Sequence, residues 1–234
     1  VLDINNFIKS LSILCSQDTI LSIEFPHVVN LFKKLQYDTV YHEHHYYYSL
    51  ESIQNLLREY NLQIFDIDKL NIHGGSLRVY ARKSNNKLNK SKKLVQEIKK
   101  EKRLNLYSDK NLKKFQISVK KTKKNAIQYL NKLKENNSKI SVYGAAAKGN
   151  TFLNYCNINR KTIDFAYDNN RLKQGKYLPG SKIKILNPVM IKKYKPNFII
   201  ILPWNIKDEI IKNFKYIKQW GGKFIILLPK IKLF

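Results

Sequence analysis

Apolar positions change their spacing in a regular order along this chain, and the order predicts alternating helices and strands. Ile4, Phe7, Ile8, Leu11 and Leu14 recur every three to four residues, the spacing of one helical face, and Asp3 stands where a capping side chain would open that helix. Thr19 to Phe25 then reads as a strand ended by Pro26. Ser49 with Ser52, followed by Ile53, Leu56 and Leu57, predicts a capped amphipathic helix running to about Tyr60. Gln63 to Asp68 and Ser76 to Arg82 are strand-like runs around the turn Asn71-Ile72-His73-Gly74-Gly75, so an antiparallel hairpin is expected there.

From Ser84 to about Asn137 the strand pattern disappears. Leu94, Ile98, Leu112, Phe115, Val119, Ile127, Leu130 and Leu133 sit at three-to-four spacing in lysine-rich sequence, which predicts linking helices. A second α/β stretch opens with the strand Lys139 to Tyr143, the turn Gly144 to Gly149 and a helix through Tyr155. Strands at Ile163 to Tyr167, Phe198 to Leu202 and Phe224 to Leu228 alternate with helices around Val189 to Tyr194 and Lys207 to Trp220. That order predicts an α/β fold whose second half is a parallel, Rossmann-like sheet. Three regions are expected: residues 1–83, a helical linker 84–137, and a Rossmann-like domain 138–234.

Composition narrows the classes. No run approaches the roughly 20 apolar residues that a membrane helix needs; the longest, Phe198 to Trp204 and Phe224 to Pro229, read as buried strands. Cys15 and Cys156 form no CxxC pair, and no signal-peptide pattern precedes them, which suits a reducing cytoplasm without a zinc site. The chain starts at Val1, almost within its first predicted helix, so its N-terminus reads as a cut through a domain. The net charge of +27 is uneven: −2 over residues 1–82, +15 over 83–139 and +14 over 140–234. Lysine outnumbers arginine 38 to 6, whereas arginine's planar fork is the usual reader of phosphate and guanine, so a solvated surface is favoured over a nucleic-acid site.

Acid-base chemistry is concentrated at one place. All five histidines fall between His27 and His73, and three lie in the block Tyr41-His42-Glu43-His44-His45-Tyr46-Tyr47-Tyr48. Imidazole titrates near 6.5, so a base, an orienting carboxylate and phenolic donors stand together after a strand. The base would be His44 or His42: extended backbone would put Tyr41, Glu43 and His45 on one face and both candidates on the other, while a loop could converge any of them. His73-Gly74-Gly75-Ser76 is either a hairpin turn or a close backbone approach to a ligand with His73 at its rim. His27, beside Pro26, is ambiguous. Gly144-Ala145-Ala146-Ala147-Lys148-Gly149 opens a helix and offers N–H groups plus a lysine to an anion, favouring a phosphate over a dinucleotide wrapped on GxGxxG. Asp168, at a later strand end, stands where a ribose hydroxyl is often bound.

Taken in order, Glu24-Phe25-Pro26-His27, Tyr41-His42-Glu43-His44, His73-Gly74-Gly75-Ser76-Leu77-Arg78, Gly144 to Asn150, Asp168-Asn169-Asn170 with Lys173-Gln174-Gly175, Pro179-Gly180, and Pro203-Trp204-Asn205 resemble the C-terminal part of the sugar C-methyltransferases that use S-adenosylmethionine on nucleotide-linked keto sugars. The resemblance implies a C-terminal remnant of a class I methyltransferase sheet followed by linking helices and a Rossmann-like domain that helps hold a nucleotide-diphosphate sugar. It implies catalytic roles for Tyr41, Glu43 and His44, making His42 a neighbour; for substrate contacts, Lys148, Asn150 and Asn205 are suggested as the diphosphate anchor, with Asp168 and His73 beside them. It also implies zinc in a separate N-terminal domain and a glycine-rich S-adenosylmethionine site. This chain contains neither segment, so alone it is expected to be inactive. The expected reaction is C3 methylation of a 4-keto sugar through an enolate, in the cytoplasm, with no membrane and no specific nucleic acid as partner. A nicotinamide-dependent Rossmann oxidoreductase is the alternative, against which the missing central glycines count; a basic nucleic-acid module rests on charge alone.

Overall fold

The structure, a computed structural model, describes residues 1–72, 74–83 and 89–234. The chain divides into two compact units. The first holds Val1–Lys34 and His42–Lys114; the second holds Leu35–Tyr41 and Phe115–Phe234. The chain therefore passes from one to the other three times.

In the first unit, helix α1 (Ile4–Leu14) is capped as its sequence predicts, Asp3 accepting the Asn6 N–H at 3.0 Å. Strand β1 (Leu21–Pro26) is followed at once by a short helix α2 (Val28–Lys33), which lacks the long periodic pattern that would have marked it. Helix α3 (Leu50–Arg58) begins with the expected capping box between Ser49 and Ser52. The hairpin strands β2 (Leu62–Leu70) and β3 (Ser76–Lys83) pair antiparallel, and β3 lies in the middle of the order β1-β3-β2. Register puts Phe25 opposite Leu77 and Glu24 opposite Arg78, and the latter two join in a 2.9 Å ion pair. Leu77, Val79 and Ala81 alternate into the core while Arg78 and Tyr80 face away, the period of two that the hairpin requires. Ile8, Leu50, Ile53, Leu57, Leu62, Ile67 and, from helix α4 (Lys92–Leu104), Leu94 complete this core. Burying each such side chain contributes about 1.5 to 3 kcal/mol.

The second unit takes Val119, Ala126 and Leu130 of the long helix α5 (Asp109–Glu135) into the core of a six-stranded sheet. Its strands are β4 (Ile140–Tyr143), β5 (Ala166–Tyr167), β6 (Ile185–Leu186), β7 (Phe198–Ile201), β8 (Lys223–Ile226) and β9 (Lys232–Leu233), in the order β6-β5-β4-β7-β8-β9. The first five are parallel, as the βα alternation predicts, and β9 is an antiparallel edge. Helices α6 (Ala147–Tyr155), α7 (Ile191–Tyr194) and α8 (Lys207–Asn213) fall within the connections. From β4 the chain builds outward to β5 and β6, then returns to β7 on β4's other side. That reversal is the switch point at whose C-terminal strand ends α/β sheets take ligands. The ends in question are Gly144 after β4, Asp168 after β5, and Pro203-Trp204 after β7. Among the described residues no helix is long and apolar enough to cross a membrane.

Candidate functional site

In the first unit the histidine block occupies a loop with a closed neck. His27 bridges Tyr48, and the Val28 N–H donates to the Tyr48 carbonyl at 3.0 Å, so the chain leaves and returns at one point. His42 and Glu43 are in a turn, and His44 to Tyr47 are neither helix nor strand, so the two-faced alternation of an extended segment does not apply. The Glu43 carboxylate lies 3.8 Å from His42 Nε2, both side chains largely exposed. His44 is half-buried, its ring centroid 6.4 Å from that of Tyr47 in an edge-on arrangement. Tyr46 stacks on Tyr48 and donates its hydroxyl to the Leu2 carbonyl at 2.6 Å. Tyr48 packs edge-on against Phe25, and burial pushes its phenol up to about 12. Tyr41, half-buried, is grouped with the second unit.

The glycine turn at the head of β3 serves the protein itself. A Cβ on Gly75, whose φ is +121°, would lie 2.5 Å from Asn30 Nδ2, and Asn30 donates to the Gly75 carbonyl at 3.0 Å. Lys34 donates to the Gly74 carbonyl at 3.1 Å. The close approach that these glycines permit is thus made by the side chains of Asn30 in α2 and of Lys34 at its C-cap. His73 lies outside the described residues. His27 is resolved from its ambiguity: it is buried, with Nε2 2.5 Å from Glu101 Oε1. His27, Glu97 and Glu101 bring donor atoms within 4.8 Å of one another, a grouping with metal-ligand chemistry. Each acid is already engaged, Glu97 by Lys69 at 2.5 Å and Glu101 by His27 and the Leu50 N–H.

In the second unit, the turn after β4 is built for close packing. Gly144 has φ +99°, and a Cβ there would meet Pro203 Cδ at 2.6 Å; one on Gly149 would meet Leu202 Cβ at 2.7 Å. Only glycine brings this turn against the end of β7. Ala146 caps α6 without a side-chain bond, so no N-cap side chain satisfies the first-turn N–H groups at the positive helix end. Asp168 braces the turn. Its Oδ2 accepts the Ala145 N–H at 2.7 Å and its Oδ1 accepts the Asn170 N–H at 2.8 Å, while Lys173 donates to the Ala145 carbonyl at 2.8 Å. Both carboxylate oxygens expected for a ribose hydroxyl are therefore holding backbone.

Lys148 Nζ sits 4.4 Å above the Trp204 ring, and the Trp204 indole N–H donates to Asp38 Oδ2 at 2.8 Å. Burial pushes the Asp38 carboxyl above the usual carboxylate range, opposed by Lys148 and the Trp204 bond; burial pushes Lys148 down, opposed by Asp38. Asn150 is half-buried, its Oδ1 without a hydrogen-bond partner among the described residues, and Asn205 is exposed in the short turn Trp204–Ile206. The second unit thus brings Lys148, Asn150, Asp168 and the Asn205 turn to the same strand ends. Asp38 had no sequence signal; it lies in a single 3₁₀ turn, Tyr37–Thr39, whose Tyr37 packs against Tyr155 of α6. A separate cavity of about 400 Å³, lined by Lys139, Arg160, Phe165 and Tyr194, opens beside the starts of β4 and β7, away from these groups.

S-adenosylmethionine is the methyl donor of methyltransferases generally, and its fit can be tested on the glycines present. Gly74 and Gly75 of the first unit belong to a hairpin turn already filled by Asn30, and the Gly144 turn carries alanines at its centre. The described residues therefore form no glycine cradle for that donor.

Residues 71–229 match the family model of the C-methyltransferase C-terminal domain. The chain is 29% identical over 228 residues to the C-methyltransferase NovU of Streptomyces niveus, an alignment covering 97% of this chain and 54% of that protein. It spans about half the length of the curated relative it matches. With the matched region taking in the β3 hairpin strand, the linking helices and nearly all of the parallel sheet with its braced glycine turn, the chain belongs to the C-methyltransferase family.

Proposed function

We propose that this chain supplies the proton-abstracting and nucleotide-holding parts of an enzyme that methylates C3 of a 4-keto nucleotide sugar. The supporting observation is the closed-neck loop that carries a half-buried His44 next in sequence to the exposed Glu43, whose carboxylate lies 3.8 Å from His42. A sugar carbon becomes nucleophilic only as a carbanion equivalent, and a 4-keto group makes the C3 proton removable because the electron pair moves onto oxygen as an enolate. His44 takes that proton, the C3–H electron pair forms the C3–C4 double bond, and the carbonyl pair moves to oxygen. Tyr41 donates its hydroxyl toward the developing oxyanion. General-base help of this kind contributes about 10² to 10⁴ in rate. Glu43 orients the imidazole, a role that draws its carboxylate from His42 toward His44. In the second unit the uncapped start of α6 with Lys148 and Asn150 holds a phosphate of the nucleotide, with Asn205 as a further donor. Asp168 acts there by bracing the Ala145 N–H. S-adenosylmethionine would supply the electrophilic methyl group.

The test uses the native protein as isolated from its source, with methyl-labelled S-adenosylmethionine and a 4-keto nucleotide sugar. His44→Asn is expected to lose label transfer and the exchange of the C3 proton with deuterated solvent while its melting curve is kept. Unchanged turnover in that variant would remove His44 as the base.

A further inference from the structure

Glu101 takes no part in the chemistry assigned above, yet it touches both ends of the segment that carries it. The glutamate lies on α4 among Lys99, Lys100, Lys102 and Arg103, where an outward-facing carboxylate would be well solvated. It is instead 8% exposed. A carboxylate taken from water is costly unless donors replace the lost hydration, and the donors here are specific. Oε1 lies 2.5 Å from His27 Nε2, and Oε1 and Oε2 are each 3.0 Å from the Leu50 N–H. His27 is the last residue before α2, and Leu50 is the first of α3, a helix start whose positive end favours an anion. Every residue of the block from His42 to Tyr48 lies between those two contacts.

The backbone bond from Val28 to Tyr48 closes the same neck, so a main-chain bond and a carboxylate both hold the stems of a segment running from 28 to 49. The carboxylate is the part that ties both stems to a third element. The neighbouring Glu97 makes the patch look like a metal site, but it is neutralised by Lys69 at 2.5 Å, and Glu101 already has its donors. Protein groups balance this cluster.

We infer that Glu101 is a positioning residue: through His27 and Leu50 it fixes both stems of the loop, and through the stems it fixes where His44 is presented. The role has kinetic meaning only if His44 is the base, as proposed above. A base displaced by about 1 Å costs on the order of 10²-fold in rate without loss of substrate affinity.

The experiment compares Glu101→Ala, Glu101→Gln and Glu97→Gln in the native protein, and records histidine-ring and Leu50 amide resonances of the same variants in this chain. Glu101→Ala is expected to lower kcat by about 10- to 100-fold with KM within about threefold, and to move the His44 ring and Leu50 amide signals. Glu101→Gln keeps an oxygen for the Leu50 N–H and is expected to recover most of the rate. Glu97→Gln is expected to leave rate and His44 signals unchanged. A folded Glu101→Ala protein with wild-type kcat, or with unmoved His44 signals, overturns the assignment. If Glu101→Ala does not fold, Glu101→Gln and His27→Asn decide on the same signals, unmoved His44 resonances in both again overturning it. Loss of turnover in His44→Asn alongside a fully active Glu101→Ala sinks the clamp and keeps the base; an active His44→Asn sinks the base, and the resonances still judge the clamp.

Discussion

Trp204 donates its indole N–H to Asp38 at 2.8 Å across 166 positions of sequence, and the same ring carries the Lys148 ammonium 4.4 Å above its face. One aromatic side chain thus connects a buried acid to the lysine of the Gly144 turn. The acid's second oxygen, Oδ1, has no hydrogen-bond partner among the described residues, so its ionised form is poorly compensated in the fold.

That imbalance has a pH signature. Burial raises the Asp38 carboxyl above its ordinary 3.8, so the folded state resists ionisation that the unfolded chain undergoes freely. The contribution to stability is full below about pH 4 and is lost as pH rises through the folded-state value. Asp38→Asn, which still accepts the indole N–H, should therefore gain stability relative to wild type as pH increases from about 4 toward neutrality. Urea unfolding at a series of pH values reads this; a variant that loses stability relative to wild type as pH rises would contradict it.

Lys148 is expected to hold a nucleotide phosphate, and its replacement should be felt in binding before folding. Lys148→Met keeps an unbranched side chain over the Trp204 ring but removes the charge, so affinity for a nucleoside diphosphate should fall by about tenfold or more, on the basis that a charge-assisted bond contributes about 1.5 to 3 kcal/mol. Titration calorimetry of wild type and variant decides it. Equal heats and affinities would remove Lys148 from the anion site.

Gly144 accepts no side chain. Its φ of +99° and the 2.6 Å approach of Pro203 Cδ to a built Cβ make Gly144→Ala destabilising by about 2 to 4 kcal/mol, adding strained backbone to overpacking. Gly221, also at positive φ but with open space around its Cβ position, should suffer less from the same change. Thermal melts of the two alanine variants give the comparison.

Tyr48 offers a stabilising substitution. Its hydroxyl is buried without a partner among the described residues, so Tyr48→Phe should raise stability by about 1 kcal/mol and keep the ring contact with Phe25. It should also remove an alkaline sensitivity: a phenol at about 12 against 10 when unfolded favours the fold below pH 10 and loses that advantage as pH climbs through 12. A melt of Tyr48→Phe below the wild-type temperature would show that the hydroxyl has a role in the loop.

Where local chemistry decides structure, residue order was sufficient. Asp3 and Ser49 cap their helices through their own side chains, the β2–β3 hairpin follows from alternation around two glycines, and the Gly144 turn follows from its place between strand and helix. What escaped was set by distant partners. Ile163 to Tyr167 looks like a full strand, but Ile163 instead donates to the Asn159 carbonyl; Asp164 and Phe165 hydrogen-bond to β4, and the regular strand is Ala166–Tyr167. The dipeptide strand β6 and the edge β9 are too short to show a period. Glu101, one acid among lysines on an amphipathic helix, has the same local signature as a solvated glutamate; its function depends on Leu50, 51 positions earlier. Asp38 depends likewise on Trp204.

The segment 35–41, grouped with the parallel sheet although its chain neighbours on both sides are not, limits how this protein can be dissected. A polypeptide begun at 115 would contain every strand of that sheet yet would lack Tyr37, leaving Phe152 and Tyr155 uncovered and the Trp204 indole without its acceptor. Splitting the gene at the helical connection should give a sticky, poorly behaved C-terminal half, and supplying a peptide that spans 35–41 should restore its solubility.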